Sequence, residues 1–148
     1  MFFPILNMRP FNKNNQITDE NISGDIFYYC FPGMLQYDVL CHRIYTRNYG
    51  HSSHPYKSLN ISYAVADDPA CVNQNLMIIK QDTGAERVIH MNQQHGKEVI
   101  SLKKGKNPEP GKVFDADALI TDIPSVAIMV KQADCQGIIL FDPEVSAD

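Results

Sequence analysis

One segment of the chain, "DDPACVNQNLMIIKQDTGA", carries both the start and the stop signals of an α-helix. Asp67 or Asp68 suits the capping position, and Pro69 suits the first turn. Gly84 suits the position that follows the last turn. Three apolar residues at helical spacing share one face, namely Val72, Leu76 and Ile79. A single clear helix must therefore pack against whatever the rest of the chain forms.

The rest of the chain is dominated by short apolar runs that are typical of strands. They are "DIFYYC", "YDVLCHRIYTR" ending at Arg47, "ERVIHMN", "KEVISL" and "DADALITD". The segment "VAIMVKQADCQGIILFDP" predicts two strands joined across Ala133 and Asp134, or one strand with a bulge. Strands with one clear helix predict an α/β (α+β) fold with mixed β-sheets and flanking helices.

The 148 residues are the length of one typical domain. Residues 1–24 are rich in Asn and poor in core residues, so they predict an irregular lead-in to a domain over 25–148. The formal charge of −4 excludes a broad nucleic-acid or anionic-membrane footprint. The opening "MFFPILNMRPF" is too short, and too interrupted by proline, for a signal peptide or a membrane span. The four cysteines form no CxxC pair, which predicts reduced thiols in the cytoplasm.

His95 lies in "NQQHG", where an apolar strand turns polar and a glycine permits a sharp exit. A histidine at a strand end is commonly an ordinary hydrogen-bonded residue. Imidazole is also the commonest metal ligand and the usual general base near neutral pH. Both interpretations stay open for His95 on this pattern.

Cys135 follows the polar break "KQAD" and precedes an apolar run. Free cysteine is often a small buried hydrophobe, which is one interpretation. A polar break between two strands instead favours exposure in a cleft. A thiolate at neutral pH needs a cation, a metal or a helix N-terminus, and no adjacent residue supplies a cation. A bound metal is therefore the second interpretation.

Other polar residues give weaker signals. Arg47 ends a predicted strand beside a glycine-containing turn with several serines, which suits a phosphate or a salt bridge. His51 and His54 are three residues apart in a predicted loop and form a further candidate metal pair. Asp115 and Asp117 lie two apart at a strand start, which is typical of solvated carboxylates.

Five segments occur in the order seen in the YfiH-like family, which the chain resembles from about Ile26 to Pro143. They are "YTR…G…PYKSLNIS", "VADDPACVNQN", "NQQHGKEV", "DADALITD" and "KQADCQGIILFDP". Members of the family, also called DUF152, were formerly named multicopper polyphenol oxidases or laccases. The resemblance implies a layered mixed α/β fold like the catalytic domain of cytotoxic necrotising factor. It also implies a zinc-dependent purine nucleoside phosphorylase, acting on adenosine or inosine and phosphate, with adenosine deaminase activity.

The resemblance implies a role for five residues of this chain. His95 and Cys135 correspond to zinc ligands and catalytic residues, while Arg47, Ser58 and Asn60 correspond to substrate-binding residues. The family's third zinc ligand is a histidine in a downstream "HxGWRG" motif, and that motif does not occur in this sequence. The resemblance therefore implies an N-terminal portion of the family's domain, with zinc held weakly by two ligands. An open sheet edge in such a portion predicts a homo-oligomer or aggregation.

Two other functions remain open for the chain. It is a catalytically inert portion or an interaction module if the missing third ligand prevents metal binding. Alternatively, Cys135 is the nucleophile of a cysteine hydrolase or deamidase, with His95 as its base.

Overall fold

The computed structural model describes residues 9–12, 26–105 and 113–144. The chain divides into two compact units, Met1–Asp82 and Thr83–Asp148. The predicted lead-in over 1–24 lies outside the described residues except at 9–12, and the predicted boundary at residue 25 stays a prediction.

The first unit contains a three-stranded antiparallel sheet in the order β1-β2-β3. Its strands are β1 (Arg9–Asn12), β2 (Phe27–Cys30) and β3 (Ile44–Tyr45). Within the segment predicted as a lead-in, Arg9–Asn12 form a strand that pairs with β2 along its whole length. Pairing with an edge satisfies backbone groups even where the sequence has no strand pattern.

The strand predicted over "YDVLCHRIYTR" is much shorter in the structure. Only Ile44 and Tyr45 pair with β2. A turn in which the Leu40 amide donates to the Tyr37 carbonyl at 3.0 Å removes the first part of the segment from the sheet. Val39 is consequently 88% exposed. The segment has the alternating apolar residues of a strand, but the backbone of its first part forms this turn instead.

Helix α1 spans Pro69–Thr83, as predicted. The Asp68 carboxylate accepts a hydrogen bond from the Ala70 amide at 2.8 Å and so caps the first turn. Gly84 follows the helix with φ of +67°, a left-handed conformation that favours glycine. The buried face of the helix includes polar residues as well as apolar ones: Val72, Asn75, Ile78, Ile79 and Asp82.

The core of the first unit joins the helix to the sheet. Its buried members are Ile26, Tyr28, Cys30, Leu59 and Ile78, with the partly buried Tyr45 packed against them. Burial of apolar surface of this kind is the main favourable contribution to folding.

The second unit contains only parallel pairs among its described strands. They are β4 (Arg87–Asn92), β5 (Val99–Leu102), β6 (Phe114–Asp115), β7 (Ala118–Thr121) and β8 (Val126–Met129). One sheet has the order β6-β4-β8, and β5 and β7 form a separate pair. With the antiparallel sheet and α1, these strands confirm the predicted mixed α/β fold class.

The second strand predicted after Cys135 does not form. No strand lies between residues 130 and 144 of the described chain. Ile138 and Leu140, in the apolar run "GIILF", are 71% and 89% exposed. An apolar run becomes a strand only when another strand or a core receives it.

None of the helices in the described part of the chain is long and apolar enough to cross a membrane.

Candidate functional site

The carboxyl ends of parallel strands bring the polar residues of the second unit together. Strand β4 pairs in parallel with β8 on one side and with β6 on the other. Because neighbouring parallel strands end at the same edge of a sheet, the segments that follow β4 and β8 leave from one edge. His95 lies three residues after β4, and Cys135 lies six residues after β8. Such edges are the usual ligand sites of parallel sheets.

The turn that carries His95 is organised by one carboxylate. Asp117 Oδ1 accepts a hydrogen bond from the Gln94 amide at 3.1 Å. Asp117 Oδ2 accepts hydrogen bonds from the Gly96 amide at 3.1 Å and from the Glu98 amide at 3.3 Å. The exposed His95, between these donors, has φ of +56°. The interpretation of Asp117 as a solvated carboxylate was therefore wrong.

A row of polar side chains crosses the ends of β8, β4 and β6. Lys131 Nζ donates to Asn92 Oδ1 at 3.4 Å. Asn92 Nδ2 in turn lies 3.4 Å from Asp115 Oδ1. Burial lowers the pKa of the Lys131 ammonium. The row places a partly buried cation beside the segment that leads to Cys135.

His90 lies inside β4, just below this row. The side chain is 9% exposed, and its Nδ1 has no hydrogen-bond partner within the described residues. Burial lowers the pKa of His90, and the charge of Lys131 lowers it further. Both effects disfavour the protonated form of the imidazole.

Cys135 is a free and exposed thiol. Its exposure contradicts the core-packing interpretation. The structure therefore leaves it available to a ligand or a reagent. Its neighbour in the sequence, Asp134, is exposed as well.

Arg47, in the first unit, presents an exposed guanidinium. Its Nε donates to the Lys57 carbonyl at 2.8 Å. This bond fixes the side chain, while no hydrogen bond joins its two terminal nitrogens to any described residue. A guanidinium held in this way can still present two N–H donors to one oxyanion.

Ser58 lies beside Arg47 and shares its backbone contacts. The Ser58 and Leu59 amides both donate to the Arg47 carbonyl, at 2.9 and 2.7 Å. Ser58 Oγ accepts from the Gly50 amide at 3.0 Å. A Cβ on Gly50 would lie 2.2 Å from the Ser58 carbonyl oxygen, so only glycine fits this close approach.

Asn60 uses its side chain within its own loop. Its Nδ2 donates to Asp67 Oδ2 at 2.8 Å, and its Oδ1 accepts from the Ser62 amide at 3.1 Å. A hydrogen bond from Ser52, and after it the bond from Asn60, lower the pKa of Asp67. The structure therefore gives Asn60 a loop-shaping role.

Sequence reasoning missed Asn75, which holds the Arg47 and Asn60 loops on α1. It is fully buried, at 0% exposure. Its Oδ1 accepts from the His51 amide at 2.7 Å. The two N–H groups of its Nδ2 are shared among three oxygens, namely Ser52 Oγ at 2.9 Å, the Ser58 carbonyl at 3.1 Å and the Asn60 carbonyl at 2.7 Å. The sequence does contain a signal for Asn75, because it is a polar residue one helical turn from Val72 and Ile79 on the apolar face of the helix.

The described residues do not complete a metal site. No group of three or more His, Cys, Asp or Glu side chains within residues 9–12, 26–105 and 113–144 is placed to hold a metal ion. This includes His51 and His54, the further candidate pair. The imidazole of His95 and the thiol of Cys135 are donor types that zinc prefers, but a catalytic zinc takes three protein ligands.

Comparison with known proteins places the chain in one family. Residues 41–147 match the family described as multi-copper polyphenol oxidoreductase laccase. A purine nucleoside phosphorylase of Streptomyces coelicolor is 37% identical over 98 residues, which cover 64% of this chain and 39% of that protein. A purine nucleoside phosphorylase of Deinococcus radiodurans is 34% identical over 105 residues, covering 70% and 39%.

A solved structure supports the same grouping. A Neisseria meningitidis protein of the DUF152 family matches with a TM-score of 0.54 and 38% identity, over 63% of this chain and 36% of that one. The chain thus spans about two fifths of the length of the relatives that it matches. Because the family covers residues 41–147, the chain belongs to the multi-copper polyphenol oxidoreductase laccase family, the YfiH-like or DUF152 proteins.

Proposed function

We propose that the protein is a purine nucleoside phosphorylase, acting on adenosine or inosine and phosphate. The observation that carries this proposal is family membership together with two relatives of that name at 37% and 34% identity. In the proposed reaction a phosphate oxygen bonds to C1′ of the ribose as the bond from C1′ to the purine nitrogen breaks. The base leaves with that electron pair and takes up a proton, which gives free purine and ribose 1-phosphate.

Arg47 is the proposed phosphate-binding residue. Its guanidinium is exposed, and the bond from Nε to the Lys57 carbonyl fixes it in place. A fixed guanidinium binds an oxyanion with less loss of side-chain entropy than a mobile one. Ser58 and Asn60 support this role by holding the adjoining loops, rather than by offering free side-chain groups.

His95 and Cys135 are the proposed catalytic residues of the second unit. We also propose that His95 and Cys135 are two ligands of a zinc ion whose third ligand comes from outside the described residues. When bound, zinc would supply Lewis-acid polarisation of an oxygen or activation of water.

Deamination of adenosine belongs to the same proposal as a second activity.

All four cysteines are free in the structure, which suits the proposed cytoplasmic location.

Steady-state assays with adenosine or inosine and phosphate test the proposal. We expect free purine and ribose 1-phosphate from the wild-type protein. His95→Ala and Cys135→Ala should lose turnover, while Cys41→Ala, which removes another exposed thiol, should retain it. Arg47→Lys should raise KM for phosphate, because lysine keeps the charge but loses the planar fork. Phosphate-independent ammonia release would instead indicate deamination alone, and no base release under any condition would refute the proposal.

A second candidate is that the 148-residue chain is catalytically inert and binds another macromolecule. The observation that favours it is the lack of a group of three metal donors within the described residues. Metal analysis of the purified protein separates the two. One tightly held zinc per chain contradicts inertness, and absence of both zinc and turnover supports it.

A further inference from the structure

Asp117 occupies an unusual position for a carboxylate near a strand end. Its two oxygens accept three backbone hydrogen bonds from Gln94, Gly96 and Glu98, at 3.1, 3.1 and 3.3 Å. All three donors belong to the turn that follows β4. Hydrogen bonds to an ionised acceptor are about twice as strong as bonds between neutral groups.

The turn has a backbone that needs this support. His95 has φ of +56°, and residues other than glycine adopt such values at a cost in free energy. Alternate amides of the turn converge on one centre, as they do in backbone sites that bind anions. A Cβ added at Gly96 would lie 3.3 Å from Asp117 Oδ2, so the carboxylate is packed closely against the turn.

We propose that Asp117 is a positioning residue, whose carboxylate serves as the internal anion that holds the Gln94–Glu98 turn and thereby fixes the backbone of His95. The link from this turn to catalysis rests on the proposed function. The organisation of the turn itself is independent of that function.

Asp117→Asn gives the sharpest test, because asparagine keeps the shape and has one acceptor oxygen. With that oxygen in the place of Oδ2, the bonds from Gly96 and Glu98 remain, and the amide group faces the Gln94 N–H. Amide hydrogen exchange, measured by NMR on the full chain, should therefore become about tenfold faster at Gln94 and change little at Gly96 and Glu98.

Asp117→Ala removes both acceptors and leaves space for a small carboxylate. Exchange at Gln94, Gly96 and Glu98 should become about tenfold faster or more, and added formate should reverse the effect. Chloride at the same ionic strength should leave the faster exchange unchanged. Asp115→Ala is the matched control, because that carboxylate contacts the Asn92 side chain and none of the three amides.

The activity of the same variants completes the test. In Asp117→Ala we expect kcat for phosphorolysis to fall about a hundredfold with little change in KM for phosphate, and formate to restore it. Unchanged exchange in both Asp117 variants, or rescue by chloride as well as formate, overturns the proposal. If the wild-type protein lacks phosphorolysis but the exchange pattern holds, the proposed function fails and the role of Asp117 in the turn stands.

Discussion

Asp82 is a buried carboxylate at the end of α1, and two side chains from the β3 region converge on it. Arg43 donates to the carboxylate and to the carbonyl of Asp82, and Tyr45 Oη lies 2.5 Å from Asp82 Oδ2. The Arg43 guanidinium also lies 4.5 Å from the centre of the Tyr28 ring. The Asp82 side chain is 2% exposed. Burial raises the pKa of Tyr45, and the Asp82 charge raises it further.

Removing the acid from this cluster should be far more costly than removing the phenol. Asp82→Ala leaves Arg43 buried without its partner, so we expect a loss of about 3–5 kcal/mol in the free energy of unfolding. Tyr45→Phe removes one hydrogen bond and should cost about 1–3 kcal/mol. Urea denaturation of both variants measures the difference. A smaller loss for Asp82→Ala than for Tyr45→Phe would contradict the ion pair.

His90 predicts a pH dependence of stability. Its pKa is lowered in the folded state, so between that value and its ordinary value of about 6.5 the unfolded chain binds more protons. The contribution of neutral His90 to the free energy of unfolding is therefore present above about pH 6.5, and it is lost as the pH falls from there through the lowered pKa.

Lys131→Met isolates this effect. Removal of the nearby positive charge should raise the pKa of His90 towards its ordinary value and reduce the loss of stability between about pH 7 and pH 5. NMR titration of the His90 ring protons and urea denaturation across that range give the two measurements. Lys103→Met, at an exposed site, is the control. An unchanged or lower pKa of His90 in Lys131→Met would disprove the coupling.

At the scale of elements, α1 does more than fill the core of the first unit. Through Asn75 it holds two loops, one at residues 51–52 and the other at residues 58–60. The helix therefore determines the backbone conformation next to Arg47.

Asn75→Ala should free both loops at once. It leaves the His51 amide and the Asn60 carbonyl without their partner, while the Ser58 carbonyl keeps its hydrogen bond from the Ser52 amide. Each group that is left unsatisfied and buried costs about 1–3 kcal/mol. We expect a large loss of stability together with faster proteolytic cleavage in residues 50–60, measured by denaturation and by limited proteolysis with mass spectrometry. Gln74→Ala, at an exposed site on the same helix, should change stability by about 0.5 kcal/mol or less. Equal cleavage rates in the two variants would count against the loop-holding role.

The sequence predicted elements better than it predicted the contacts between them. The bounds of α1 followed from Asp68, Pro69 and Gly84, because caps are local signals. Asp117 and Asn75 carried no such signal, because their roles come from backbone amides and carbonyls that only the fold brings near. The strand after Cys135 was wrongly predicted because an apolar run says nothing about whether a partner strand is present.

For the whole molecule, the exposed apolar run after Cys135 predicts association. Ile138 and Leu140 are exposed and lie in a segment that forms no strand within the described residues, so it offers an apolar surface for association with another chain. Leu140→Lys should therefore lower the average mass at high protein concentration, as measured by light scattering or sedimentation. Val39→Lys, at a residue that is 88% exposed within a turn region, should have no such effect. Equal effects of the two lysines would indicate a general charge effect.

The parallel arrangement of the second unit also sets an order of events during synthesis. β4 cannot complete its ladder with β8 until Met129, 39 positions after its partner His90, has left the ribosome. Translation at about 5–20 residues per second makes this a delay of about 2–8 s. Helix α1 has all of its own hydrogen-bond partners within one continuous segment and needs no such delay. The nascent chain therefore contains the helix while β4, the next strand in the sequence, still lacks β8. Chaperones that bind extended apolar segments can bind β4 in that interval.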